Sequence, residues 1–268
     1  MFVKTPPIET MNGAFDVKGK NVVVTGGNRG IGLGISTAFA QSGANVAILC
    51  RNEESGKQAV DELSKYGGRH TCIPVDIADY NAVVEAGKRV YEFFDYVDVI
   101  INNAGIGTTT NFFAPTGLDE WHRVLNTNLH GPANVLYTLV PKMKEAGRGG
   151  TIVNISSVGG QRVSTSRDHD KAPYNVSKAG IDIFCKYLGL MLGDYGIRVN
   201  SLAPGMTHSD LDKDLPPSAF EAAEKTLPAH RFGEPIEIGA LCVFLASPAG
   251  CQITGTVIVH DGGLMTIR

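Results

Sequence analysis

Short runs rich in Val and Ile recur along the chain, and stretches with helical apolar spacing separate them. This alternation constrains the fold more than any other feature. The runs fall at 21–25 (NVVVT), 45–50 (NVAILC), 70–75, 97–101 (VDVII), 151–156 (TIVNIS), 196–202 and 256–259 (TVIV). Helical patterns occupy 30–42, 53–66, 79–94, 118–146, 173–194 and 235–246. Strands alternating with helices pair in parallel through right-handed crossovers. Near-continuous β-branched runs suit strands covered by helices on both faces. The expected architecture is α/β, a single doubly wound domain with a roughly seven-stranded parallel sheet and helices on both faces.

Composition narrows the function. In 268 residues the net charge is −3 and 43% are apolar, which fits neither a disordered tail nor a basic nucleic-acid binder. The apolar runs are far shorter than the ~20 residues a membrane span needs, so no membrane partner is expected. Five cysteines, an odd number without C-x-x-C spacing, support neither a disulfide framework nor a zinc knuckle. A reduced, cytoplasmic compartment is expected, since the N-terminus also lacks the apolar core of a secretory signal. Residues 1–18 are polar and read as a surface arm, and 19–268 as the catalytic domain.

The turn Thr25-Gly26-Gly27-Asn28-Arg29-Gly30-Ile31-Gly32 joins the first strand to the first helix. In a Rossmann-type sheet that is where a dinucleotide pyrophosphate docks on a helix N-terminus, and glycines let the backbone approach it. NAD binders carry a carboxylate about 20 residues on, at the end of the second strand. Here that strand ends in Cys50 followed by Arg51. Arg29 and Arg51 suit a ribose 2′-phosphate, which points to NADP(H). Glu53 and Glu54 fit better as first-turn helix acids.

Tyr174 and Lys178 stand at i and i+4 on a helical stretch and so share a face. A phenol of pKa about 10 is neutral at pH 7, and a nearby ammonium favours its phenolate. Such a phenol can give a proton to a carbonyl oxygen or take one from an alcohol. Ser156-Ser157, Asn128 and Asn102-Asn103-Ala104-Gly105 fall at the carboxyl edge of the same sheet, where ligands bind.

These marks together resemble the short-chain dehydrogenase/reductase family: T-G-x-x-x-G-x-G at 25–32, N-N-A-G at 102–105, Asn128, Ser157, Y-x-x-x-K at 174–178 and Pro204-Gly205. The likeness runs from about Lys18 to the C-terminus. It implies Tyr174 as acid/base, Ser157 as the group that polarises the carbonyl, and Lys178 as the residue that binds the nicotinamide ribose and lowers the Tyr174 pKa. Asn128 would support a water in a proton relay. Ser157 is preferred over Ser156 because the family's serine directly precedes a turn like Val158-Gly159-Gly160. The implied cofactor residues are Gly26, Asn28, Arg29, Ile31 and Arg51 at the phosphate end. Asp76, Ile77 and Asn103 would face the adenosine, and Thr207 and Ser209 the carboxamide, beside Tyr174 and Lys178.

Two features depart from the family pattern. Ser157 and Tyr174 are separated by extra residues at 161–172 (QRVSTSRDHDKA), and the N-terminal arm is long. His169 and His208 lack ligand-spaced partners and are read as loop residues, so no metal is expected. The resulting expectation is an NADP(H)-dependent carbonyl reductase or alcohol dehydrogenase acting on a small molecule. The polar 161–172 loop leans toward a ketose or polyol. The alternatives are a hydroxysteroid, a 3-oxoacyl thioester on a carrier protein, or a non-catalytic NADP-binding regulator. Residues 173–194 are apolar around much of the helix, with Ile183, Tyr187, Leu190 and Met191 off the core stripe, so a homo-oligomer, dimer or tetramer, is expected.

Overall fold

The computed structural model describes residues 3, 5–8, 10–163, 171–209 and 217–267. Its strands are β1 (Asn21–Thr25), β2 (Asn45–Cys50), β3 (His70–Pro74), β4 (Val99–Asn102), β5 (Gly150–Ile155), β6 (Ile197–Pro204) and β7 (Val257–His260). They form one seven-stranded sheet in the order β3-β2-β1-β4-β5-β6-β7, every pairing parallel. The helices are α1 (Gly30–Gln41), α2 (Glu53–Ser64), α3 (Tyr80–Phe93), α4 (Gly117–Leu125), α5 (Gly131–Ala146), α6 (Ala172–Leu192), α7 (Pro217–Thr226) and α8 (Pro235–Ala246).

Alternating strand residues feed two cores. Val22, Val24, Val46 and Ile48 meet Ile35 and Phe39 of α1 and Ile238, Cys242 and Leu245 of α8. Val23, Ile100, Ile152 and Val199 meet the helices on the opposite face, α3, α5 and α6. Local signals fix the helix starts. The Asn52 and Asp79 side chains accept from the Ser55 and Ala82 amides, satisfying orphan N–H groups of α2 and α3. Pro235 opens α8, and the Glu237 carboxylate turns back to accept from the Glu234 amide at 2.8 Å.

The helical pattern at 118–146 resolves into two helices joined by a π-helical turn at Asn126–His130. Apolar spacing continues across the turn, so periodicity alone does not reveal it. The arm is also more embedded than its polarity suggests. Ala14 and Val17 are buried, the Phe15 ring stands 6.2 Å from that of Phe244, and the Val3 amide donates to Asp194 O at 3.0 Å. The arm therefore lies toward α8 and the end of α6. It leaves an apolar face of α5 and α6 in solvent: Tyr137, Ile183, Tyr187, Leu190 (82% exposed) and Met191. On the inner side of α6, Ile181 and Leu192 are buried, and Phe184 and Leu188 pack on the core partly exposed.

Candidate active site

The chain winds outward from β1 to one side and from β4 to the other, so a crevice opens between their carboxyl ends. The Thr25 hydroxyl closes its floor, accepting from the Asn103 and Ala104 amides at 3.0 Å each. Asn103 Nδ2 donates back to Thr25 O at 3.0 Å and Gly26 O at 3.2 Å, which locks the glycine turn. Gly26 sits at φ +63°, and a Cβ there would stand 3.1 Å from Ala104 Cα. A Cβ on Gly32 would run into the Gly26 carbonyl and the Asn103 amide. Only bare backbone fits this close approach, and the turn opens onto the N-terminus of α1, where an anion is favoured. This cradle fits the pyrophosphate of a dinucleotide.

Around the cradle, Asn28 Nδ2 donates to Ser55 Oγ at 2.7 Å and so ties the turn to α2. Arg29, at the N-cap of α1, and Arg51, just beyond β2, are both exposed at this end, and Ile31 lies in the first turn of α1. Asp76 is exposed and accepts from the Ala78 amide, while Ile77 is buried against α5, where its carbonyl accepts from Asn134 Nδ2 at 3.0 Å. Thr207 is buried beside Gly205 and bridges to Gly233. Ser209 is half-buried next to it.

The chemistry-bearing side chains meet on the far side of the crevice. The turn at Val158–Gly160 lies so close to α6 that a Cβ on Gly160 would stand 2.8 Å from the Lys178 carbonyl carbon. That approach brings the Ser157 hydroxyl into hydrogen bond with Tyr174. Ser157 Oγ also accepts from the Gly159 amide at 3.1 Å. Ser156 faces the other way, buried, with its Oγ directed to Lys178 O at 3.3 Å. Lys178 is buried and donates from Nζ to Ile155 O at 2.7 Å, with Nζ 5.6 Å from the centre of the Tyr174 ring. The π-helical turn aims Asn128 inward. Its Nδ2 donates to Ile106 O at 3.0 Å and to Ser177 Oγ at 3.2 Å, and its Oδ1 accepts from the Ile106 amide at 2.8 Å. A Cβ on Gly105 would touch both Asn128 Oδ1 (3.3 Å) and Lys178 Nζ (3.5 Å), so these two groups converge on one point.

Burial dominates the electrostatics. It pushes the Tyr174 hydroxyl above its ordinary value, not below it as the family resemblance implied for a neighbouring Lys178; the Ser157 hydrogen bond partly offsets the burial. Burial draws Lys178 down from 10.5 to about 8, against the opposing charge of Asp182. Three residues of this cluster carry no mark in the sequence motifs. Ser177 is wholly buried and donates to Tyr174 O at 2.6 Å. Asp182 continues the Tyr174–Lys178 helix face by one more turn, the spacing that could have revealed it. Glu120 binds the segment after β4, as set out below. Arg162 donates to Leu264 O at 2.9 Å, so its guanidinium is engaged with the C-terminal segment. His169 and most of the 161–172 loop lie outside the described residues. Among the described residues no group of three metal-ligating side chains comes together, and no helix is long and apolar enough to cross a membrane.

Comparison with known proteins identifies the class of fold and site. The family model described as enoyl-(acyl carrier protein) reductase matches residues 26–265. The structure of a short-chain type dehydrogenase/reductase from Mycobacterium marinum superposes with a TM-score of 0.88 at 30% identity, covering 95% of this chain and 98% of that one. A gluconate 5-dehydrogenase from Burkholderia cenocepacia, in complex with NADP and tartrate, superposes at 0.87 and 30% identity, covering 96% and 99%. The chain belongs to the short-chain dehydrogenase/reductase family and is an oxidoreductase of the kind that uses a nicotinamide cofactor. Among individual proteins it is similar to the 3-oxoacyl-(acyl-carrier-protein) reductase FabG of Chlamydia muridarum, 39% identical over 246 residues that span 91% of this chain and 97% of that protein.

Glu120 of α4 holds the wall formed by the segment after β4. It is 6% exposed, accepts from Thr109 Oγ1 at 2.9 Å, and takes two bonds from Arg123, at 2.7 Å from Nε and 2.8 Å from Nη2. Arg123 Nη2 reaches on to Gly107 O at 3.1 Å. The Arg123 guanidinium draws the Glu120 carboxyl from 4.5 down to about 2. A lowered folded value means the stabilisation is complete above the unfolded pKa and fades as pH falls toward the folded one. Glu120→Gln is therefore expected to lower the thermal midpoint at pH 6 and to show a smaller loss between pH 5 and about 2.5 than the unmodified chain. Parallel acid-side losses in the two chains would contradict this role.

Proposed function

We propose that the chain transfers a hydride between NADP(H) and a carbonyl or secondary alcohol of a small molecule. The observation that carries this reading is the Tyr174 hydroxyl, bonded to Ser157 with Lys178 one turn on, at the sheet edge that also holds the glycine cradle. The nicotinamide supplies the hydride; the protein supplies orientation and proton handling. Ser157 holds and polarises the carbonyl oxygen. Tyr174 gives that oxygen its proton in reduction and takes it back in oxidation. Because burial raises Tyr174, the phenol carries its proton at neutral pH, the form reduction needs. Lys178 holds the nicotinamide ribose, and its charge favours the phenolate once the proton has left. Asn128 supports a relay water beside Lys178.

Two exposed guanidiniums, Arg29 and Arg51, flank a strand end without a carboxylate, which supports NADP(H) over NAD(H). For the substrate, the likeness to a gluconate dehydrogenase supports a polyol or ketose. The Chlamydia relative favours a second reading, a 3-oxoacyl thioester. Purified protein assayed with NADPH against a ketose, a 3-oxoacyl thioester and a ketosteroid separates these readings. Tight NADPH binding without turnover on any class would favour a regulator instead.

Three outcomes are expected. Arg51→Ala should narrow the preference for NADPH, since a charge-assisted contact contributes about 1.5–3 kcal/mol. The ratio of kcat/KM values for the two cofactors measures it, and a preference for NADH in the unmodified chain would refute the assignment. Tyr174→Phe keeps the ring and removes only the proton donor, so turnover should fall ~100-fold or more while NADPH binding, followed by fluorescence, survives. Finally, a second copy is proposed to cover the exposed Tyr137, Ile183, Tyr187 and Leu190 face, because the arm lies elsewhere. Light scattering at micromolar concentration should give a dimeric or larger mass, and a monomeric mass would exclude this interface.

A further inference from the structure

Beneath the Tyr174–Lys178 pair lies a buried carboxylate that the reaction scheme leaves unused. Asp182 stands four residues past Lys178 and eight past Tyr174, on the same face of α6. It is 7% exposed. The hydroxyls of Ser156, just past β5, and Ser201 on β6 face it, yet both carboxylate oxygens are without a hydrogen-bond partner among the described residues, and burial raises the carboxyl above its ordinary value. Ser156 in turn points its Oγ at Lys178 O. The ammonium of Lys178 is spent on Ile155 O, a neutral acceptor, so that bond balances none of its charge. Lys186, one turn beyond Asp182, is exposed, and Cys185 remains a thiol, pushed up to about 11 by burial. The strands that face Asp182 contribute only the two serine hydroxyls. Asp182 is thus the one buried carboxyl on the Lys178 face of α6.

We propose that Asp182 is a positioning residue: its buried carboxylate is the counter-charge that keeps Lys178 protonated and directed at the ribose site. The proposal deepens the reading of Lys178 as the cofactor-site lysine. A buried lysine without an opposing charge loses its proton. A neutral amine would neither favour the Tyr174 phenolate nor hold its bond to Ile155 with the same strength. The carboxylate acts through Lys178 and does not touch the reacting atoms.

The test is direct titration of Lys178 in the chain without cofactor. Lysine is labelled with ¹³C at Cε, and the Lys178 resonance is identified by its loss in Lys178→Met. In Asp182→Asn, which preserves shape, the Lys178 titration midpoint should fall by about one pH unit. The alkaline limb of the kcat/KM profile for carbonyl reduction should move to lower pH with it. An unchanged midpoint, or a uniform loss of rate with the profile in place, would overturn the proposal. If Asp182→Asn does not fold, the double variant Lys178→Met/Asp182→Asn should fold, because the cation that needed balancing is gone. Failure of the double variant as well would show the carboxylate to be structural. A wild-type chain inert toward every carbonyl would sink the reductase reading, yet the Lys178 midpoint would remain measurable.

Discussion

The Thr25 hydroxyl is the contact on which the crevice depends. It accepts from two successive amides beyond β4 and so pins the carboxyl end of β1 to that of β4. These strands are neighbours in the sheet although two strands and three helices separate them in sequence. With the two ends fixed, the glycine turn has one place to go, over Asn103 and against Ala104. A side chain at Gly26 or Gly32 would push the turn off that surface. The N-terminus of α1 is then set by the same contact, because the turn leads straight into it.

Helix α6 does the corresponding work on the other side. Its inner face carries apolar Ile181 and Leu192 into the core and, on the turns between, the polar series Tyr174, Ser177, Lys178 and Asp182. One rigid element thereby fixes the spacing of the phenol and the ammonium, while Ile155 and Ser157 at the end of β5 fix their depth. Two-sided anchoring of this kind is what holds a reactive constellation in register. The outer face of the same helix remains apolar and exposed at Ile183, Tyr187, Leu190 and Met191.

Much of this was legible in the sequence because parallel strands are buried on both faces and announce themselves as Val/Ile runs. The predicted strands at 21–25 and 45–50 match β1 and β2, and the others differ from the observed ones by a residue or two. The glycine turn and the Tyr174/Lys178 pair were readable because their chemistry depends on local spacing. What escaped reading depends on contacts distant in sequence. The π-helical turn that aims Asn128 inward interrupts no apolar pattern. The arm read as surface because its few apolar residues are scattered, yet Ala14, Phe15 and Val17 each find a partner or a buried place against the domain. Glu120 carries no mark in any sequence motif. Arg123 stands three residues on in the same helix, and the fold adds Thr109 from the segment after β4. Arg162, which seemed placed to meet a polar substrate, is engaged with C-terminal carbonyls more than 100 residues away.

The site also shows where the fold spends its stability. A lysine drawn from 10.5 to about 8 has lost favourable hydration that the protein does not replace in full. At about 1.4 kcal/mol per pH unit, the buried ammonium costs the folded state about 3 kcal/mol at neutral pH. Unfolding is opposed by only ~5–15 kcal/mol in most domains, so this is a large local concession. The sign is fixed by the direction of the shift. The unfolded chain binds the extra proton between about pH 8 and 10.5, so this cost recedes as pH rises through that interval. An apolar residue at position 178 would relieve it at every pH and would pack against the same walls. The cost is sustained by the two cores on either side of the sheet, and it leaves a cation at the crevice floor with no bulk water to screen it. Burial of the phenol outweighs that charge, since the Tyr174 hydroxyl stands above its ordinary value.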